Sequence, residues 1–129
     1  MEKRQEFMVK GLMPPISHYC DAVRWGDLLF VSGVAPVDAK GKVVSGDAAA
    51  QTRQIFLNMK AILDAAGASF ADVLKVTVYL TDVEDRKKIN PVRQEFFGAA
   101  RPASTLIGVQ ALAIPGMKVE IEAVVGLRA

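Results

Sequence analysis

The segment Lys118-Val119-Glu120-Ile121-Glu122-Ala123-Val124-Val125 alternates apolar and charged side chains, and its reading decides the fold. A period of two marks a β-strand with unlike faces: Val119, Ile121 and Ala123 point one way, Glu120 and Glu122 the other. Two carboxylates then share one face, about 7 Å apart along the strand. The stretch before it, Arg101-Pro102-Ala103-Ser104-Thr105-Leu106-Ile107-Gly108-Val109, supplies a second strand near the same end of the chain.

Working outward, Leu74 to Thr81 has the same alternation, with Val76, Val78 and Leu80 on one face and Lys75, Thr77 and Tyr79 on the other. Between Asp47 and Gly67 the period changes. Ile55, Phe56, Met59, Ile62, Leu63 and Ala66 recur at steps of three and four, which predicts a helix of about five turns. Asp47 is its expected N-cap and Gly67 its C′ residue. A second helix is predicted through Val92, Phe96 and Phe97, with Pro91 at its first position and Asn90 as cap, since proline is tolerated there and not deeper. Upstream, Ala22–Arg24 and Leu28–Ser32 read as strands around a Trp25-Gly26-Asp27 turn. Gln5 to Lys10 reads as an edge strand stopped by Gly11 and Pro14-Pro15.

The order is strands, helix, strand, helix, strands, so the expected class is α+β: one sheet with two helices packed on one face, a single domain over residues 1–129. At 51% hydrophobic composition the chain can bury a real core. Two helices cover only one side of the sheet, and the other must face water or a partner. An oligomer is expected.

Sixteen basic and fourteen acidic residues leave a net charge of +2, too small and too evenly spread to indicate nucleic acid. One cysteine excludes an internal disulfide framework. The charged start Met1-Glu2-Lys3-Arg4-Gln5-Glu6 lacks the apolar core of a signal peptide. The longest apolar run, Leu28 to Val37, is interrupted and far short of the roughly 20 residues that span a membrane. A cytoplasmic protein with no membrane association is the expectation. His18 is the only histidine, which leaves little to build a metal site or a histidine-based nucleophilic triad.

Taken in order, Val31-Ser32-Gly33 after an apolar strand, Asn90 shortly before Glu95-Phe96-Phe97, Pro102-Ala103-Ser104-Thr105 and the Lys-x-Glu-x-Glu strand resemble the reactive-intermediate deaminase family (Rid, also called YjgF or endoribonuclease L-PSP-like). The match runs from about Ser17 to Val125. The resemblance implies a chorismate-mutase-like mixed sheet, a homotrimer with clefts between subunits, and hydrolysis of imines or enamines with release of ammonia. It implies no metal and no organic cofactor.

Residue by residue, the resemblance makes Glu120 the cleft carboxylate that positions or activates water. Read from the strand alone, Glu120 and Glu122 more often form a solvated face, with Lys75 as a partner across the sheet. The resemblance favours a cleft role for Glu120 and leaves Glu122 structural. Ser32-Gly33 falls at a backbone segment that approaches the ligand, where glycine permits close contact. Tyr19 falls where a cleft tyrosine is expected, its hydroxyl free to bond substrate, while His18 beside it reads as loop or rim. Asn90 matches a family asparagine, although the helix cap is its simpler role. Cys20, with Asp21 next to it, lacks the basic setting a reactive thiolate needs, and Leu106 stands where family members often carry cysteine.

Ser104 departs from the pattern. Deaminating members carry an arginine at this position, which holds the substrate carboxylate by two parallel hydrogen bonds that serine cannot imitate. Arg101 and Arg24 are the candidate substitutes, each read singly as a solvated surface arginine. Ser104 and Thr105 could instead bind a less charged substrate through their hydroxyls. The expected function is therefore a hydrolase of small imines or enamines, on a substrate other than simple 2-imino acids. The alternative is a non-catalytic small-metabolite-binding protein of the same fold. An RNA-directed ribonuclease or translation inhibitor is the weakest reading, given the charge balance.

Overall fold

The computed structural model describes residues 3–128 and contains one six-stranded mixed sheet with two helices on one face. In chain order the elements are β1 (Arg4–Phe7), β2 (Ala22–Trp25), β3 (Leu28–Val34), α1 (Ala48–Ala65), β4 (Val73–Leu80), α2 (Arg86–Phe97), β5 (Ala103–Gly108) and β6 (Val119–Gly126). Short 3₁₀ turns at Phe70–Asp72 and Val83–Asp85 lead into β4 and α2.

The sheet order is β1-β2-β3-β6-β4-β5. The C-terminal strand β6 is inserted between β3 and β4 and runs antiparallel to both. β3 and β4 are thus parallel to one another, as are the directly paired β4 and β5. Each parallel relationship needs a crossover, supplied by α1 and α2 respectively. Glu120 and Glu122 consequently sit on a central strand, not on an edge.

The period-two and period-three-to-four patterns fall where the core needs them. Val119, Ile121, Ala123, Val125, Val76, Val78 and Leu80 are buried beneath the helices with Ile55, Phe56, Met59, Ile62 and Leu63 of α1. Phe56, Phe70, Phe96 and Phe97 form a ring cluster with centroids 5.2–5.8 Å apart, several edge to face, and join the two helices. Removing a ring such as Phe56 would cost about 3–5 kcal/mol. The Asp47 side chain accepts from the Ala50 N–H at 3.0 Å and caps α1. Gly67, at φ 73°, closes its other end, with Gly67 N–H bonded to the Asp64 carbonyl and Ala68 N–H to that of Leu63. Gly26, at φ 62°, makes the two-residue turn between β2 and β3.

Helix α2 departs from the sequence expectation. It begins at Arg86, not at Pro91, so Asn90 is an interior residue and caps nothing. The start is set by Asp82, whose side chain accepts from the Glu84 N–H at 3.0 Å and nucleates the 3₁₀ turn that runs into α2. Lys87 and Lys88 then reach back to Glu84 and Asp85 at 3.4 and 3.7 Å. Pro91 lies on the exposed side of the helix, where water can satisfy the carbonyl left without its N–H partner. No helix among the described residues is long and apolar enough to cross a membrane.

Candidate active site

The second face of the sheet carries two registered rows of side chains. Glu120, Tyr79 and Ile107 lie side by side across β6, β4 and β5, and Glu122, Thr77 and Thr105 form the next row. The two carboxylates in these rows differ in environment. Glu122 is exposed and accepts a hydrogen bond from the Tyr79 hydroxyl at 2.9 Å. This bond pushes the Tyr79 pKa upward, because it stabilises the neutral phenol. Lys75 does not pair with either glutamate and instead donates to the Thr105 hydroxyl at 3.0 Å. The expected cross-sheet pair is therefore absent, since Lys75 stands opposite Val124 and Ala103, one row away from Glu122.

Glu120 is half-buried and has no hydrogen-bond or ion-pair partner among the described residues. Its pKa is raised, first by burial and second by repulsion from Glu122. Its carboxylate lies over Gly33, so close that a β-carbon there would come to 2.6 Å from Oε1. The approach is made possible by a bulge. Val31 pairs with Ala123 and Val34 with Ile121, so Ser32 and Gly33 together oppose Glu122 alone. Gln51 of α1, buried in the core, fixes the entry into β6: its Nε2 donates to the Gly116 carbonyl at 3.0 Å and its Oε1 accepts from Lys118 N–H at 2.8 Å.

Ser32 is held rather than free. Its hydroxyl donates to the Cys20 carbonyl at 2.7 Å and its N–H to the Asp21 carbonyl at 3.0 Å. These bonds tie β3 to the loop that carries Tyr19, which is 44% exposed, and Tyr19, Ser32 and Gly33 line one cleft. Cys20 is half-buried and directs its thiol at the Ala22 carbonyl.

The remaining candidates gather elsewhere. Ser104 pairs in register with Val76, whose side chain is in the core, so Ser104 faces the helix side of the sheet while Thr105 faces the glutamates. There the Arg93 guanidinium of α2 donates to the Ser104 hydroxyl at 2.9 Å. Asn90, Arg93, Gln94, Arg101 and Pro102 line a groove of about 440 Å³ between α2 and the start of β5. Arg24 bonds to the Gly26 carbonyl in its own hairpin at 2.8 Å and is remote from this groove.

The geometry thus sorts the candidates into two groups. Tyr19, Ser32 and Gly33 line one cleft beside β3, and Glu120 of β6 lies over Gly33. Asn90 and Arg101 line the α2–β5 groove, to which Ser104 is joined through Arg93, two strands away from β6. Arg93 was not singled out by the sequence. The available signal is the apolar stripe Ile89, Val92, Phe96, Phe97, which places residue 93 on the helix flank beside β5. Tyr79 was placed on the correct face, but its bond to Glu122 follows only from the strand register. No group of three or more His, Cys, Asp or Glu side chains among the described residues is arranged to hold a metal ion.

Comparison with known proteins places this architecture in a family. A sequence model described as Endoribonuclease L-PSP matches residues 11–126. A RutC family protein of Pyrococcus horikoshii is 47% identical over 111 residues, covering 85% of this chain and 87% of the relative. The 3-aminoacrylate deaminase RutC of Acinetobacter baylyi is 37% identical over 94% of this chain and 96% of its own length. The 2-iminobutanoate/2-iminopropanoate deaminase of Dermatophagoides farinae is 36% identical over 86% and 87%. Among solved structures, the YjgF gene product of E. coli superimposes with a TM-score of 0.87 at 34% identity, over 96% of this chain and 99% of that one. With a family match over most of its length and the same sheet, the chain belongs to the endoribonuclease L-PSP family, also called Rid/YjgF.

Proposed function

We propose that this protein is a hydrolase of small reactive imines or enamines that releases ammonia. The observation that carries the reading is Glu120: a half-buried carboxylate without a partner among the described residues, with a raised pKa, held over the bulged backbone at Gly33. Relatives of similar length bear the names 3-aminoacrylate deaminase and 2-iminobutanoate/2-iminopropanoate deaminase, and their substrates are an enamine and two imines.

The chemistry needs one group that can both take and return a proton. Water attacks the carbon of the protonated C=N group and passes a proton to the Glu120 carboxylate, giving a neutral carbinolamine. The same group protonates the carbinolamine nitrogen, then takes the hydroxyl proton as the C–N bond breaks, and ammonia leaves behind a carbonyl product. An enamine first accepts a proton at carbon to become that protonated imine. One water is consumed and one ammonia released. A carboxylate with a pKa above its ordinary value suits both transfers better than one ionised throughout the neutral range.

The site lies in a cleft between subunits of a homotrimer. Glu120 and the α2–β5 groove occupy opposite faces of one sheet, so a substrate that touches both must be held between two chains. With serine at position 104, substrate choice differs from that of arginine-bearing relatives. The same departure favours a second reading, a small-metabolite-binding protein without catalysis. The two are separated by supplying imines and enamines generated in situ and following ammonia. Release accelerated above the buffer rate supports the hydrolase, whereas saturable binding without acceleration would support the binding protein.

A further inference from the structure

We propose that Arg93, set by its bond to Ser104, is the receptor for a carboxylate group of a small-molecule ligand in the groove between α2 and β5. Among the described residues four arginines have carboxylate partners: Arg4 with Glu6 at 2.9 Å, Arg53 with Glu95 at 2.6 Å, Arg86 with Glu84 at 3.5 Å, and Arg128 with Asp72 at 2.8 Å. Arg93 is half-buried and has none among the described residues. A guanidinium stays protonated at neutral pH, so a desolvated cation is retained here without an internal counter-charge.

Its hydrogen-bond partner is Ser104, whose hydroxyl accepts one N–H of Nη2 at 2.9 Å. A guanidinium has five donors, so this bond orients the plane and leaves others for an anion. The groove beside it supplies the rest of a receptor: Arg101 as a second cation, with the carboxamides of Asn90 and Gln94. A planar, bidentate acceptor matches the fork, and a carboxylate is that acceptor. Burial lowers the Arg93 pKa, in keeping with a cation whose counter-charge comes from outside the chain.

The identity of the ligand rests on the deaminase reading, in which the substrate is a small imino or enamino acid. The groove itself does not. A helix-borne arginine approaches the ligand from α2 rather than from strand β5, so the carboxylate position differs from that of a strand-borne clamp.

The test is calorimetric titration of the intact protein with pyruvate, an unreactive 2-oxo acid, against wild type, Arg93→Gln, Arg93→Lys and Ser104→Ala. The expected result is binding weakened about 10- to 100-fold in Arg93→Gln, through loss of charge-assisted bonds. Arg93→Lys should be weakened less and Ser104→Ala least, because the lysine keeps charge without the fork and the alanine removes only orientation. If Arg93 merely ties α2 to β5, both Arg93→Gln and Ser104→Ala would lower the unfolding midpoint alike and leave pyruvate binding within about twofold. That outcome overturns the proposal, as would failure of wild type to bind pyruvate at any concentration up to tens of millimolar, on the order of the weakest useful affinities. Arg93-dependent binding in a protein without deaminase activity would uphold the receptor and reject the enzymatic reading. Deaminase activity whose KM ignores Arg93→Gln would do the reverse.

Discussion

The Glu120 carboxylate occupies the space that a side chain at Gly33 would fill: a β-carbon there would lie 2.6 Å from Oε1 and 2.9 Å from Cδ. Glycine at position 33 is therefore a condition on where the acid stands. Because the displaced atoms are the end of a flexible side chain, Gly33→Ala should fold and push the carboxylate aside. A shift of about 1 Å at a reacting group typically costs on the order of 10²-fold in rate. We expect kcat/KM to fall by about that factor with little change in the unfolding midpoint. Activity within about twofold of wild type would show that Glu120 need not stand over Gly33.

Glu122 acts on Glu120 through its charge. Its repulsion is the second cause of the raised Glu120 pKa, after burial. In the proposed role of base toward water Glu120 must be ionised, so the acidic limb of the kcat/KM profile should lie above the ordinary glutamate range. Glu122→Gln should shift that limb to lower pH while leaving the plateau largely intact. A limb that stays in place would mean that it reports some other group.

Stability should show the same perturbation with a definite sign. Folding raises the Glu120 pKa, so between the unfolded and folded values the native protein binds the proton and the unfolded chain does not. Stability contributed by this group is full below that window and lost as pH rises through it. Glu120→Gln should therefore be more stable than wild type at neutral pH and flatten the dependence, measured by urea unfolding at fixed protein concentration. Equal pH dependence in the two proteins would contradict the assignment of burial as the cause.

Phe30 and Ile107 lie on the sheet face opposite the helices, 47% and 40% exposed, with half-buried Val124 between them in the strand order. Such a face is suited to association. We expect light scattering at micromolar concentration to give three times the chain mass, and Phe30→Asp to lower it. A stable wild-type monomer would remove the intersubunit site altogether.

The strands and α1 were legible because a single physical signal, burial on one face, writes itself into the spacing of Val76, Val78, Leu80 and of Ile55, Met59, Ile62. The start of α2 was not. Pro91 looked like a boundary, whereas the competing signal, the Asp82 cap with acids ahead of Lys87 and Lys88, decided it. Glu120 could be named from its strand and the family resemblance, but its freedom from partners could not, because that depends on Tyr79 bonding Glu122 across the register. Arg93 was invisible for a related reason: its contact with Ser104 joins a helix flank to an edge strand, and no local periodicity encodes that pairing.

If Glu120 moves the protons in imine hydrolysis, ammonia release from freshly generated imino and enamino acids must separate wild type from Glu120→Gln. Loss of a general acid/base typically costs about 10² to 10⁴ in rate. We predict a fall of that size in Glu120→Gln, with Glu122→Gln changed by less than about tenfold and both variants folded. Catalysis that survives Glu120→Gln unchanged would show that another group moves the protons.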